Sequence, residues 1–329
     1  MEKLTIVVPA FNEEAVLPTT ITRLLKIEDQ LIHDQFLDQQ SDLLIVDDGS
    51  SDQTWAIISA AHQQNKRVTG LKFSRNFGHQ SALIAGLQRA VKTAAVMVTI
   101  DADLQDDPAA IITMVNKFTT GVDIVYGVRN NRATDTWFKR NTALLFYKSL
   151  NLLGVKLIQN HADFRLMSNR AVTALLRYHE RNLFIRGVIP LLGFKTDRVT
   201  YKRTPRLAGE SKYPLKKMIA FAWDGLTSFS IAPVQAILCL GVLASSLGVL
   251  ALFYSLITKW LGLTVHGWSS LMISIWILGG LQMFSLGILG EYIGKMTTEV
   301  KQRPRYTIEA TIGVNTNLAP QGHAHAEHS

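Results

Sequence analysis

The stretch TIDADLQDDP, Thr99 to Pro108, decides the reading of this chain. It closes the apolar run Ala94 to Ile100, which reads as a buried strand. Asp101 and Asp103 stand two residues apart, with Gln105 two further on, where strand gives way to loop, so their side chains point the same way. In a mostly parallel sheet, ligands collect at the carboxyl ends of the strands. Hard divalent cations take carboxylate and amide oxygens and complete their shell with substrate phosphates. A metal and diphosphate site is one reading and a solvated turn is the other; an isolated D-x-D does not choose between them.

Upstream, Leu4 to Val8 is a β-branched run stopped by Pro9, and Asn12, Glu13 and Glu14 start a helix carrying Val16, Leu17, Ile21, Leu24 and Leu25. Leu43 to Val46 reads as a second strand ending in Asp47 and Asp48, with a helix over 54–63 after it. Val68 to Phe73 reads as a third, followed by Ser74, Arg75, Asn76 and a helix over 78–91. Downstream, 109–118 reads as helix and 122–126 as a fifth strand that leads to Gly127 and Arg129. This alternation predicts an α/β fold, a doubly wound and mostly parallel sheet with its loops at one edge. Three polar loops then converge there: Pro9 to Glu13, Asp47 to Ser51 and Asp101 to Gln105. A dinucleotide-binding domain is disfavoured, because PAFNEE follows the first strand where G-x-G-x-x-G should stand. Asp52 and Asp107 read as helix-cap or first-turn charges.

With 329 residues and 47% hydrophobic composition, a membrane part is expected. Ile231 to Ile257 and Trp268 to Gly290 are apolar runs, each sufficient for the roughly 20 residues of a spanning helix. Lys216 and Lys217 precede the first, Lys295, Lys301, Arg303 and Arg305 follow the second, and only Lys259 lies near the connecting loop, so both ends are expected to face the cytoplasm. The N-terminal apolar segment is too short for a signal peptide. The single cysteine, Cys239, excludes a disulfide framework. Thr136 to Leu153 reads either as an amphipathic helix at a membrane surface or as a helix packed on the sheet. The formal charge of the chain is +8, and between Lys195 and Lys217 eight lysines and arginines stand against only Asp197 and Glu210. The C-terminus, with HAHAEHS, reads as a polar, disordered tail.

VVPAFNEE, IVDDGSSDQT, SRNFGHQSAL and DADLQDDP, in this order, resemble the successive motifs of family 2 glycosyltransferases with the GT-A fold, in the branch of polyprenyl-phosphate glycosyltransferases. The resemblance implies a cytoplasmic GT-A domain over 1–213, a juxtamembrane amphipathic segment over 214–230, a two-helix transmembrane hairpin over 231–294 and a cytoplasmic polar tail over 295–329. By position, Pro9, Ala10, Phe11, Glu13, Asp47, Asp48, Asp101 and Ala102 would hold the nucleotide-sugar. Asp101, Asp103 and Gln105 would hold Mg²⁺ or Mn²⁺, with Asp103 also counted among the catalytic residues. HADFRLMSNRAV resembles the acceptor-site motif, with Asp163 at the position often assigned as catalytic base. Because a phosphate monoester is already largely dianionic at neutral pH, Asp163 is read here as an orienting group. RLAGESKY resembles a mobile loop that closes on the lipid phosphate. Arg129, Arg140, Arg206, Ser211 and Lys212 are the candidate acceptor-phosphate ligands.

The expected activity is inverting transfer of a hexose, first glucose from UDP-glucose, to undecaprenyl phosphate, giving a lipid-linked sugar for cell-envelope glycosylation at the plasma membrane. Membrane lipids, a second copy of the chain and a lipid-linked-sugar flippase are the further expected partners; nucleic acid is not one. The alternatives are a processive polysaccharide synthase, against which stands the lack of any Arg-Trp pair, and a non-catalytic membrane scaffold, against which stand Asp101, Asp103 and Gln105.

Overall fold

β1, Leu4–Ala10, is buried along its whole length, as expected for a β-branched run covered on both faces of a parallel sheet. The computed structural model describes residues 1–130, 161–180, 185–202, 232–261 and 267–314. The sequence-predicted elements form with small shifts at their ends: α1 Leu17–His33, β2 Asp42–Asp47, α2 Thr54–Gln64, β3 Val68–Phe73, α3 His79–Ala90, β4 Val96–Thr99, α4 Ala110–Thr119 and β5 Ile124–Arg129. Arg129 thus ends a strand that was expected to stop at Tyr126. Beyond it come β6 His161–Ser168, α5 Asn169–Leu176, the single turn α6 Ile185–Val188 with the 3₁₀ turn Ile189–Leu192, β7 Thr196–Tyr201, α7 Ala232–Trp260, α8 Trp268–Val300 and β8 Ile308–Ile312.

The eight strands form one sheet in the order β7-β5-β6-β4-β1-β2-β3-β8. β1 runs parallel to β2 and β4, β2 to β3 and β5 to β7, whereas β6 is antiparallel to β4 and β5, and β8 is antiparallel to β3. The carboxyl ends of β1, β2, β4, β5 and β7 therefore share one edge, and the reversed β6 begins at that edge. Pairing of Thr99 with Arg165 fixes the register, and the Thr99 hydroxyl donates to the Asp163 carbonyl at 2.5 Å.

Helices cover the sheet closely. A Cβ at Gly86 of α3 would lie 2.3 Å from Val7 Cγ1 and 3.2 Å from Val46 Cγ2, so glycine lets this helix approach β1 and β2. α5 starts at Ser168, whose hydroxyl accepts from the Ala171 N–H at 3.3 Å. Asp52 and Asp107 accept from the Thr54 and Ala109 N–H groups at 3.0 Å, but they stand ahead of the N-cap residues Gln53 and Ala109, so neither is the helix cap or first-turn charge expected from the sequence.

The described residues fall into two compact units: the sheet with its helices, and the two long helices. The first unit regains the chain after α8, which corrects the expectation of a polar tail from residue 295. β8 adds a strand beside β3, the Tyr306 ring stacks on Phe73 with centroids 4.9 Å apart, and Arg305 donates to the Tyr178 and Glu180 carbonyls at 3.0 and 2.6 Å. In the second unit α7 has 29 residues and α8 has 33. Among the described residues one segment, Ile277–Val300, meets the length and hydropathy of a membrane crossing, and almost none of it is buried. The expected helix at 136–153, the segment 214–230 and the end of the chain from 315 lie outside the described residues.

Candidate functional site

At the edge where the strands end, β2 delivers Asp47 and Asp48, β4 delivers Asp101, Asp103 and Gln105, and β6 delivers Asp163. β2 and β4 flank β1, so the Asp47 loop and the Asp101 loop are two strand spacings apart, roughly 10 Å, a span that suits a nucleoside diphosphate.

The loop after β2 is laced to the loop after β1. Asn12 N–H donates to the Ser50 hydroxyl at 2.9 Å, Ser51 N–H to the Asn12 side chain at 2.9 Å, and Glu13 N–H to Thr54 Oγ1 at 3.0 Å. Pro9 and Ala10 are buried at the end of β1, and Phe11 is exposed just beyond it. Asp47 accepts from Ser50 N–H at 2.9 Å through one oxygen, and its other oxygen is buried with no hydrogen-bond partner among the described residues. That oxygen is an open acceptor for a base N–H. Asp48 is occupied within the protein: it accepts from the Phe77 and Gly78 N–H groups at 2.7 and 2.9 Å. It thereby fixes the turn that starts α3 at His79. Ala102 is buried, and its carbonyl accepts from Thr20 Oγ1 at 2.6 Å.

His79 reaches across to both acidic groups, with Nε2 3.6 Å from Asp101 and 3.5 Å from Asp163. Burial would lower its pKa, but Asp163 and Asp101 prevail and raise it. Part of the Asp101 side chain reaches solvent, yet its Oδ1 is sealed and accepts no hydrogen bond. Burial, opposed by His79, pushes the Asp101 carboxyl up to about 6. Asp103 accepts from Gln105 N–H at 3.2 Å, and Gln105 is buried. Among the described residues no three His, Cys, Asp or Glu side chains form a metal cage. Two carboxylates and one amide, with a secluded acidic oxygen on Asp101, fit a hard cation that fills its remaining positions with water and phosphate oxygens.

Asp163 is clamped. Arg186 lays Nε and Nη2 on its two oxygens at 3.0 and 2.7 Å, and the buried Arg165 closes on it through Nη2. Burial alone would raise the Asp163 carboxyl; contact with His79 and the charges of Arg165 and Arg186 hold it well below the usual carboxylate range. Arg129 is likewise held, by Nε and Nη2 on the buried Asp106 at 2.9 and 3.3 Å, and Tyr201 donates to the same carboxylate at 2.7 Å. Arg140, Arg206, Ser211 and Lys212 lie outside the described residues.

Sequence reading missed four residues of this site. His79 stands inside SRNFGHQSAL, a stretch singled out without reading its histidine. Arg165 stands inside HADFRLMSNRAV, two residues after Asp163, and the resemblance gave it no role. Asp106 is hidden among the acids of DLQDDP, and Arg186 comes from a turn that no spacing rule marks.

The profile of the family described as Glycosyl transferase family 2 matches residues 5–176. The uncharacterized glycosyltransferase YkoT of Bacillus subtilis is 51% identical over 317 residues, covering 96% of this chain and 94% of the relative. The prophage bactoprenol glucosyl transferase homolog of Escherichia coli K12 is 38% identical over 309 residues, covering 93% and 98%. Among solved structures, glucosyl-3-phosphoglycerate synthase of Mycobacterium tuberculosis superposes with a TM-score of 0.48 at 19% identity, over 69% of this chain and 78% of that one.

Proposed function

Because the chain belongs to glycosyl transferase family 2 and is a glycosyltransferase, we propose that it transfers a hexose from a nucleotide-sugar to a polyprenyl phosphate, with inversion. Asp163 carries this reading. A sugar hydroxyl needs a base to become a nucleophile, and Asp163, ionised but saturated by Arg165, Arg186 and His79, is a poor one. Asp101 and Asp103 are committed to the diphosphate side. An acceptor that brings its own nucleophile fits: a phosphate monoester has a second pKa near 6 and is largely dianionic at neutral pH. One of its oxygens attacks the anomeric carbon, the new C–O bond forms as the bond to the nucleoside diphosphate breaks, and no proton has to move.

Glucose and UDP are the proposed donor groups. The open oxygen of Asp47 suits the N3–H of uracil, and among the relatives at 38% identity are proteins named bactoprenol glucosyl transferase or its homolog. Asp101, Asp103 and Gln105 would hold Mg²⁺ or Mn²⁺, which offsets the charge gathering on the departing diphosphate.

The reading also places α7 and α8 in the membrane as a pair. β8 hydrogen-bonds to β3 within one sheet, so the chain before α7 and the chain after α8 lie on the same side of any bilayer. One crossing would separate them. The lysines and arginines flanking the pair put that side in the cytoplasm.

Purified membranes containing the protein are incubated with labelled UDP-glucose, UDP-N-acetylglucosamine or GDP-mannose and undecaprenyl phosphate, and the lipid fraction is counted. Label from UDP-glucose is expected there. Label in lipid from none of the three overturns the function.

A further inference from the structure

Asp163 holds a charge imbalance. Two guanidiniums, Arg165 and Arg186, close on this one carboxylate, and with Asp101 counted beside them the cluster is net positive when His79, which Asp101 and Asp163 share, is protonated. A net charge in a partly desolvated pocket is costly unless something balances it. Arg165 is fully buried and cannot receive a ligand from solvent. Arg186 can. Its side chain is 37% exposed, Nε and Nη2 are spent on Asp163, and Nη1 makes no hydrogen bond among the described residues.

Arg129 is built in the same way. Its side chain is 28% exposed, its Nε and Nη2 edge lies on Asp106 with Tyr201 as a further partner, and it ends β5 where Val128 pairs with His161, two residues before Asp163 on β6. The charge of Asp101 acts on Arg186, which places Arg186 beside the end of the site where the donor diphosphate is expected. Fixing one edge of each guanidinium on a carboxylate spends side-chain entropy during folding, so less is lost when a ligand binds the remaining N–H groups.

We propose that Arg186, with Arg129 beside it, is the seat of a phosphate monoester, and that Asp163 is the positioning residue that presents Arg186 to it. The inference rests on the transferase reading above and names the group that receives the acceptor's phosphate. Asp163 then acts through Arg186 and takes no proton. The ligand chemistry is a phosphate dianion, borne by a polyprenyl lipid or by free inorganic phosphate.

The test uses the full-length protein in nanodiscs with Mn²⁺. Binding of inorganic phosphate is followed by ³¹P NMR line broadening, UDP binding by calorimetry, and transfer kinetics with a short-chain polyprenyl phosphate. In the wild type, the lipid phosphate should displace inorganic phosphate. Arg186→Gln should weaken phosphate binding and raise KM for the lipid phosphate at least tenfold, with UDP affinity changed less than twofold. Arg186→Lys, which keeps the charge without the fork, should fall between. Asp163→Asn should raise the same KM and leave UDP affinity intact.

Unchanged phosphate binding in Arg186→Gln overturns the seat, as does loss of UDP binding in both Arg186 variants, which would make the residue structural. Inorganic phosphate that binds but is not displaced by the lipid phosphate overturns the acceptor assignment. A wild type that binds phosphate through Arg186 yet transfers no hexose to lipid leaves the seat standing and removes the transferase reading.

Discussion

Asp163 is the residue on which the chemistry turns, and its environment makes a definite demand on the pH profile. Held well below the usual carboxylate range, it stays ionised throughout the working pH and has no proton to release or accept there. Activity should therefore rise with the second ionisation of the acceptor phosphate, near 6, together with that of the Asp101 carboxyl at about 6. Asp163→Asn should cost roughly two orders of magnitude in rate, about 1.4 kcal/mol per decade, without moving that inflection. A profile whose inflection vanishes in the Asn variant would make Asp163 a base. For Asp103, a loop carboxylate outside the core, Asp103→Ala should abolish transfer and leave the unfolding temperature unchanged. Excess EDTA should stop the wild type equally, and full activity in EDTA would remove the metal.

Glu28 presents the opposite electrostatic case, far from the chemistry. It is fully buried on α1, with Arg67 Nη1 3.6 Å away and no hydrogen bond to either oxygen. Burial pushes its carboxyl up to about 8, against the opposing charge of Arg67. Unfolded, it ionises near 4.5, so folding takes up a proton between those values. Its contribution is fully present below pH 4.5 and is lost as pH rises through about 8, at most about 1.4 kcal/mol per pH unit. Glu28→Gln should flatten the fall in denaturation midpoint between pH 6 and 9; an unaltered slope would assign that fall to other groups. Neither this group nor the clamp on Asp163 could be read from the sequence. Asp101, Asp103 and Asp47 were legible because their spacing after apolar runs expresses a local rule. Arg186 and Asp163 meet across 23 residues of chain, and only the fold brings them together.

Among the elements, the parallel strands β1 to β5 were legible, whereas β7, parallel to β5, was not read as a strand and the two reversed ones were not fully legible. β1 to β4 announce themselves as apolar runs between helices, because both faces are covered. β6 was marked only by the motif HADFRLMSNRAV; its antiparallel direction, which brings Asp163 beside Asp101, is a matter of pairing. β8 was read as part of a polar tail, since an edge strand half open to solvent carries no long apolar run. β5 shows how a single glycine serves the site. Its register with β6 shifts between Tyr126 and Val128, and a Cβ on Gly127 would lie 2.9 Å from the Phe164 carbonyl oxygen and 3.0 Å from Tyr201 Cε1. Tyr201 in turn helps hold Asp106, the partner of Arg129. Gly127→Ala should cost roughly 1–3 kcal/mol by overpacking and raise KM for the lipid phosphate by displacing Arg129. Differential scanning calorimetry and transfer kinetics on one preparation check both, and a variant as stable as the wild type would show that β5 and β6 separate there at little cost.

For the whole molecule, the decisive fact is that the chain leaves the sheet after β7, forms two long helices and comes back to it as β8. At ~1.5 Å per residue, helices of 29 and 33 residues are ~43 and ~50 Å long, each enough for a hydrocarbon core of about 30 Å. If α8 alone crossed, β8 would sit across the bilayer from β3, and the pairing of Gly70 to Phe73 with Ile308 to Ile312 could not exist. The two crossings proposed above would keep both ends together, and by the charge rule the flanking lysines and arginines would put that side in the cytoplasm. In a Cys239→Ser background, single cysteines at Gln40 and Glu309 should resist a membrane-impermeant maleimide in intact cells and react once the membrane is opened. A cysteine at His266, between the helices, should react in intact cells. Labelling of Glu309→Cys from outside while Gln40→Cys stays protected would mean a single crossing, and β8 could not then be a strand of this sheet. Protection of all three in intact cells, with His266→Cys reacting as soon as the membrane is opened, would mean that the pair lies along the cytoplasmic surface without crossing. The lipid phosphate would then have to be drawn from the leaflet by the protein's surface alone.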